Sequence, residues 1–304
     1  MKRCLCCGQN LNDETIQWHQ SCVKHFFGSS TLPTIDLKTS ETGEIIGLFD
    51  EKSSVPGVQR KLSLGLSSDK KRLTLVNFPY GYIIKPEIGE IKEIARSEQL
   101  VMSLADTVGI RTALHGLLVD KDGTYIFITK RLDRDGNKKI HMEDMCQLSN
   151  KITDQKYDGS YEYLGKLIYK YTNSVADVVE YFYRLLFCFI VGNSDMHLKN
   201  FSLIEEEHTY LSPAYDLLPV NLIYPKDTEE TALTLNGKKR NITKKDFYTL
   251  GQNIGLNEKV ITNLIKRLSS FKEKMEIQIK ESLLSNDLKD SFIKLLNIRL
   301  AMIQ

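Results

Sequence analysis

The sequence predicts an α+β fold in two lobes, a β-rich N-terminal lobe over residues 1–132 and a mainly helical C-terminal lobe over 133–304. Three observations carry that prediction. Lys61–Leu66 and Arg72–Val76 alternate apolar and polar residues, the period-two pattern of half-buried strands, and Tyr82–Lys85 reads as a third strand stopped by Pro86. In the C-terminal lobe the apolar residues fall instead at three-to-four spacing, as on the buried stripe of a helix. The polar segment Gly192–Asn200 separates two strongly apolar stretches, LLFCFIV before it and FSLI after it. Its polar side chains therefore sit at the rim of a core, where loops carry chemistry.

Composition excludes several classes. The 304 residues carry 41 basic and 39 acidic side chains, a net charge of +2, with 41% hydrophobic residues, which is ordinary globular usage. Seven prolines and 18 glycines are too few for a low-complexity chain. The longest strongly apolar run, Leu185–Val191, is far short of the ~20 residues that span a bilayer. The opening MKRCLCCGQN has no apolar core of a secretory signal, so a cytoplasmic protein without membrane contact is expected. A near-neutral balance argues against a protein whose main task is coating nucleic acid, and no direct nucleic-acid binding is expected.

Taken in order, residues 1–28 form a Cys/His module. Cys4-x-x-Cys7 and His19-x-x-Cys22 have the close pairs from which tetrahedral Zn²⁺ is chelated. The alternative is that reduced cysteines pack a small core. Cys6 is left over and could stand in for a ligand, and Trp18 with Phe26 and Phe27 supplies apolar bulk. Residues 29–40 are a Ser/Thr-rich connector. The stretch 53–61, SSVPGVQRK, has one glycine, so it is neither a P-loop nor GxGxxG, yet such a loop can cover phosphates with backbone N–H groups. Glu93–Val108 has helical spacing with Gly109 at its C-cap. Ala113–Val119 and Tyr125–Thr129 form a hairpin around Lys121–Gly123. Helices follow at Tyr161–Tyr171 and Ser174–Val191, short strands at Phe201–Ile204 and His208–Leu211, then a helix capped by Asn257 and another from Ser285 to near Ile303. The basic runs Lys238–Arg240, Lys244–Lys245 and Lys266–Arg267 read as solvated faces. A β-rich lobe followed by a helical one is the element order of a two-lobed kinase.

The loop supports that order. Asp195, His197, Lys199 and Asn200 fall within six residues, and Tyr215-Asp216 follows after a predicted strand hairpin. Phosphoryl transfer needs a carboxylate to accept the proton of the attacking hydroxyl, an amide oxygen and a second carboxylate to hold Mg²⁺, and a lysine to neutralise developing charge. Asp195 fits the base, Asn200 and Asp216 the metal ligands, and Lys199 the neutralising cation. The plainer alternative is a polar turn whose side chains cap backbone groups. Lys85, ending a strand, has Glu98 on the next helix as a partner, the arrangement of a phosphate-binding lysine; otherwise it is an edge-strand lysine in solvent.

Together the segments SVPGVQRK, YIIKP, NSDMHLKNF and YDLL resemble the HipA-like serine/threonine kinases, toxins of bacterial toxin–antitoxin systems. The resemblance runs from about Ser53 to the C-terminus and includes His141-x-x-Asp144-x-x-Gln147. It implies a protein-kinase-like fold with Asp195 as base and Lys199 beside it, Asn200 and Asp216 on Mg²⁺, and Lys85 on the ATP phosphates. It places a phosphate-covering loop at Ser54–Lys61, with Ser54, Val55, Gly57, Gln59 and Lys61 as nucleotide contacts. Thr129, Lys130 and Arg131 fall near the adenine hinge, and His197 completes the ATP contacts. It implies autophosphorylation at Ser54, with Ser53 as the neighbouring alternative, adding about −1.5 to −2 charge that would eject the loop. Pro56 stands where some short relatives carry a second serine. The likeness is to the short HipT-type toxins. These lack an N-terminal subdomain, replaced by a separate small protein that acts with a DNA-binding antitoxin, and the family's targets are aminoacyl-tRNA synthetases. A non-catalytic binding subunit and a small-molecule kinase are the alternatives.

Overall fold

In the computed structural model, residues 2–35, 61–75, 81–87, 91–136 and 138–304 are described. Ser53, Ser54, Val55, Gly57 and Gln59 of the expected phosphate loop lie outside them. The chain divides into two compact units, Met1–Gln99 with Ala113–Lys139, and Leu100–Thr112 with Ile140–Gln304. The α+β class expected from the sequence holds, with a β-rich first unit and a mainly helical second unit.

The first unit is built on one six-stranded sheet. Its strands are β1 (Thr34–Ile35), β2 (Leu62–Leu66), β3 (Arg72–Leu75), β4 (Tyr82–Pro86), β5 (His115–Val119) and β6 (Tyr125–Lys130), in the spatial order β1-β3-β2-β4-β6-β5. All pairings are antiparallel except β1 with β3. Leu62 and Leu64 alternate into the core as their spacing predicts, and β4 brings Lys85 opposite Phe127 of β6. Asp120 closes the β5–β6 turn by accepting from the Asp122 and Thr124 amides.

β5 would be an open edge, which invites pairing with other chains. The N-terminal module covers it. The Leu117 N–H donates to the Leu5 carbonyl at 2.8 Å, and Trp18 Nε1 donates back to the Leu117 carbonyl at 2.8 Å. Residue 116 must be glycine, because a Cβ there would lie 2.5 Å from the Trp18 ring. Trp18 packs against Phe26 and Phe27, both on helix Gln20–Phe27, and Tyr82 of β4 joins the cluster with centroid separations of 4.6–5.8 Å. The expected core role of these three aromatics is thus met, with Tyr82 an addition.

Helix Ile94–Thr107 begins in the first unit and continues into the second. The second unit is organised around helix Val175–Ile190, buried all round from Tyr181 to Ile190, as a helix apolar on every face must be. Ser174 caps it by accepting from the Asp177 amide, and Ser160 caps the adjacent Tyr161–Thr172 in the same way. In the first unit β7 (Arg134–Asp135) pairs antiparallel with β8 (Lys138–Lys139), and beside the two helices of the second lies a three-stranded antiparallel sheet, β11 (Thr209–Leu211), β10 (Ser202–Glu205) and β9 (His141–Asp144). β9, of sequence HMED, has no apolar alternation to mark it as a strand. Helices Lys244–Asn253, Glu258–Ser270, Lys272–Lys280 and Asn286–Ile303 complete the unit. Asn257 caps the second of these by accepting from Val260, while Ser285 stands at the N-cap of the last without a side-chain capping bond. No helix among the described residues is long and apolar enough to cross a membrane.

The basic run at 238–240 is only partly a solvated face. Lys238 pairs with Asp246 at 2.9 Å and Lys239 with Glu229 at 3.4 Å. Burial alone would raise the Asp246 carboxyl. Donors from Asn236, Thr243 and Lys238 outweigh it and hold the carboxyl well below the usual range. A lowered native value means that this stabilisation is complete above the ordinary carboxylate pKa of about 3.9 and is lost as pH falls through the native value. Asp246→Asn is therefore expected to cost about 1–3 kcal/mol at neutral pH in chemical denaturation. The variant's stability should also fall less steeply than wild type below about pH 4.

Candidate functional site

The polar loop begins where helix Val175–Ile190 runs out. Gly192 takes φ of 72°, and a Cβ on it would lie 2.6 Å from Leu295 Cδ2, so both backbone and packing demand glycine. Its carbonyl accepts from the Asn221 amide at 2.9 Å, and the Asn193 amide reaches back to Cys188. The loop then folds on itself. His197 N–H donates to the Asp195 carbonyl at 2.8 Å, and the Asn200 side-chain nitrogen donates to that same carbonyl at 2.8 Å. Asn200 thereby keeps its amide oxygen for another partner.

The Asp195 carboxylate is half-buried and accepts from the Tyr157 hydroxyl at 2.8 Å. Burial, followed by the charge of Asp195, pushes the Tyr157 hydroxyl well above its ordinary pKa, so it stays a donor. Tyr157 meets the buried His197 ring edge-on at 5.2 Å. Burial lowers the His197 pKa, against the opposing pull of the Asp195 and Asp216 carboxylates. Asp216 has a left-handed φ of 59°, uncommon for a non-glycine residue and found at constrained sites. Tyr215 beside it is anchored by donating to the Lys199 carbonyl at 2.9 Å, with Ser202 Oγ at 2.6 Å from its hydroxyl.

Lys199 has a partner that the sequence did not suggest. Its ammonium lies 2.7 Å from Asp144 Oδ2. Asp144 also forms a capping box with Gln147 at the start of helix Met145–Leu148, so the Asp144-x-x-Gln147 part of the spaced motif is a cap whose aspartate holds the loop lysine. Ser194 donates to Asp227 on the far side. The sequence does not mark Tyr157 or Asp227, and it shows Asp144 only as part of the His141-x-x-Asp144-x-x-Gln147 motif. Tyr157, Asp144 and Asp227 lie 38, 55 and 33 residues from their loop partners.

In the first unit, Lys85 and Glu98 meet at 2.7 Å, with side chains 9% and 0% exposed. Lys85 also sits over the Phe127 ring at 5.6 Å. The solvent-edge alternative for this lysine is therefore excluded. Thr129 donates its hydroxyl to the Leu114 carbonyl, the Lys130 amide donates to the same oxygen, and the Arg131 amide donates to Gly81. The Arg131 side chain is held by Asp133. Lys61 is exposed at the start of β2.

The Cys/His module brings its expected ligands together. Cys4, Cys7, His19 and Cys22 place one ligand atom each within 4.8 Å of the others, a donor set that suits Zn²⁺. Cys6 is not one of this mutually close set, and its thiol lies 3.8 Å from the His115 carbonyl. Burial raises the Cys22 thiol to about 12, with Cys4 adding to the rise. Burial also acts on Cys4, but backbone donors from Cys7, His19 and Cys6 outweigh it and lower its pKa.

Known proteins show the same architecture. The family described as "HipA-like C-terminal domain" matches residues 53–275. A Haemophilus influenzae protein named as a candidate kinase is 30% identical over 82% of this chain and 81% of its own length. A Sinorhizobium fredii protein, candidate kinase Y4dM, is 33% identical over 68% of this chain, which spans only 55% of it. Among solved structures, HipA in the Shewanella oneidensis HipA–HipB–operator DNA complex superposes with a TM-score of 0.72 over 88% of this chain and 70% of that one, at 20% identity. The Helicobacter pylori proinflammatory kinase CtkA gives 0.56 over 84% and 92%, at 16% identity.

The Lys85–Glu98 pair yields a stability test. Removing one member of a buried pair leaves the other charge uncompensated, at a cost of about 3–5 kcal/mol, whereas apolar replacement of both is often nearly neutral. Lys85→Met and Glu98→Leu are each expected to destabilise by that amount in denaturant titration. The double variant should recover most of the loss.

Proposed function

The chain belongs to the HipA-like family, and from that premise we propose that it is an ATP- and Mg²⁺-dependent kinase of serine or threonine residues in a protein. The observation that carries this reading is the loop Asp195–Asn200, in which one backbone carbonyl takes two donors and leaves a carboxylate and an amide oxygen for chemistry. Asn200 Oδ1 and the Asp216 carboxylate are hard oxygen donors of the kind that Mg²⁺ accepts. MgATP, when bound, supplies the γ-phosphoryl group and departs as ADP. Asp195 takes the proton of the attacking hydroxyl as the new oxygen–phosphorus bond forms. Lys85, oriented by Glu98, offers its ammonium to the phosphate oxygens. Lys199, fixed by Asp144, adds positive charge beside the base.

The same reading makes the chain the toxin of a bacterial toxin–antitoxin pair of the HipT type, with an aminoacyl-tRNA synthetase as target. Its partners would be a DNA-binding antitoxin and a small companion protein. The HipA–HipB–operator assembly of the Shewanella relative supports the antitoxin partner. Ser54, with Ser53 beside it, is the residue on which the kinase would phosphorylate itself.

Asp195→Asn is expected to lower transfer from γ-phosphate-labelled ATP by about 10²–10⁴-fold, the usual share of a general base, and Asp216→Asn to lower it through loss of a Mg²⁺ ligand, both with circular dichroism unchanged. Wild-type transfer in both would overturn the assignment. In a cell lysate the wild type should label a discrete protein on serine or threonine. A labelled small molecule would make it a metabolite kinase, and no label at all a binding subunit.

A further inference from the structure

We propose that Cys4, Cys7, His19 and Cys22 hold one Zn²⁺ ion, and that this ion fixes the turn of helix Ile94–Thr107 bearing Glu98, through the Cys6 carbonyl and the Gln99 side chain. The proposal does not rest on the phosphoryl-transfer reading.

The geometry at the ligands is that of a site shaped for a tetrahedral ion. Bonds of about 2.3 Å to sulfur and 2.1 Å to nitrogen put tetrahedral ligand atoms roughly 3.6–3.8 Å apart. Cys7 Sγ and Cys22 Sγ lie 3.3 and 3.9 Å from His19 Nδ1, on either side of that value. The other ring nitrogen, His19 Nε2, is 3.0 Å from the Asn10 carbonyl. A carbonyl can only accept, so the proton sits on Nε2 and the Nδ1 lone pair faces the sulfurs, as in metal-bound histidines generally. The His19 amide donates to Cys4 Sγ at 3.3 Å, which favours a thiolate there. Gly8, with φ of 72°, donates to the Cys4 carbonyl and closes the first knuckle, while His19 and Cys22 come from the start of helix Gln20–Phe27. Three thiolates and an imidazole are a soft set that selects Zn²⁺ over Mg²⁺ or Ca²⁺. A disulfide would use two sulfurs and leave the third sulfur and the imidazole converging on nothing.

What lies between the first two ligands gives the site its consequence. Leu5 and Cys6 turn their carbonyls outward from the knuckle. The Leu5 carbonyl accepts from the Leu117 amide of β5, and the Cys6 carbonyl accepts from Gln99 Nε2 at 3.0 Å. Gln99 follows Glu98 on the same helical turn, and Glu98 is the wholly buried partner of Lys85. In a module this small, ion binding would add folding free energy to that of its aromatic cluster. The order reaches the helix through one hydrogen bond.

The test uses the full chain, purified without a metal-affinity step. Native mass spectrometry and metal analysis should give one zinc per chain. Exchange into Co²⁺ should give the sulfur-to-cobalt charge-transfer and tetrahedral d–d bands. Cys4, Cys7 and Cys22 should resist alkylation until a chelator is added. Sub-stoichiometric zinc without cobalt bands, or an intact mass two hydrogens light from a disulfide, overturns the site. Hydrogen–deuterium exchange over residues 94–107 then tests the link. Chelation, and separately Gln99→Leu with zinc retained, should each speed exchange by about tenfold, the fold-change for one lost hydrogen bond. Unchanged exchange in Gln99→Leu overturns the link while leaving the metal site standing, and neither result depends on catalysis.

Discussion

Between Val191 and Phe201 the chain carries polar side chains across ground that is otherwise core, and hydrogen-bonding most of those groups is the constraint to which the second unit is built. An unsatisfied buried polar group costs about 1–3 kcal/mol. The loop meets the demand largely from within: Asn200 and the His197 amide share the Asp195 carbonyl, and Asn193 folds back onto the end of the preceding helix. The surroundings satisfy more of it, and Asn193 Nδ2 and His197 Nδ1 stay buried without a hydrogen-bond partner. Tyr161 donates to the Met196 carbonyl, the Leu198 amide to Lys156, and Tyr215 to Lys199. The apolar helix that delivers the loop and the polar residues that line it are thus one design: the first supplies rigidity, and the second spend no donor on solvent that could hold the backbone.

The first unit solves a related problem with a different device. A lysine and a glutamate buried together must be matched to each other, since neither can reach water. β4 fixes Lys85 through its register with β6, and Glu98 comes from the helix that follows. The position of that helix turn is then shared among the sheet, the ion pair and the N-terminal module, whose Trp18 and Leu5 are stitched to β5. Edge protection of a sheet and placement of a charged residue are served by the same small segment.

Wherever function or fold rests on neighbours in sequence, the residues themselves announce it. The alternation of β2 and β3, the all-round apolar helix, the Asn257 cap, the compact Asp195–Asn200 loop and the paired Cys/His spacings could all be read directly. What could not be read are contacts made by chain reversal. β9 is a strand because β10 lies beside it, and its charged HMED sequence has no propensity to say so. Asp144 stands in a spaced motif, but its pairing with Lys199 shows only once the sheet brings the two together, and Tyr157 sits in a turn that a sequence marks only as polar. Lys238 and Lys239, on a run that reads as solvated, are recruited by carboxylates of loop and helix. In each case local pattern is silent because the determining energy comes from a partner dozens of residues away.

The Tyr157 hydroxyl bears on how this site meets anything that approaches it. It donates to Asp195 Oδ1 at 2.8 Å, and its raised pKa keeps the proton in place. A phenolic O–H on a carboxylate is chemically what an alcohol O–H would be there. Any hydroxyl that is to give its proton to that oxygen must therefore compete with one already in the chain, and the affinity of an incoming alcohol is discounted by a resident mimic of itself.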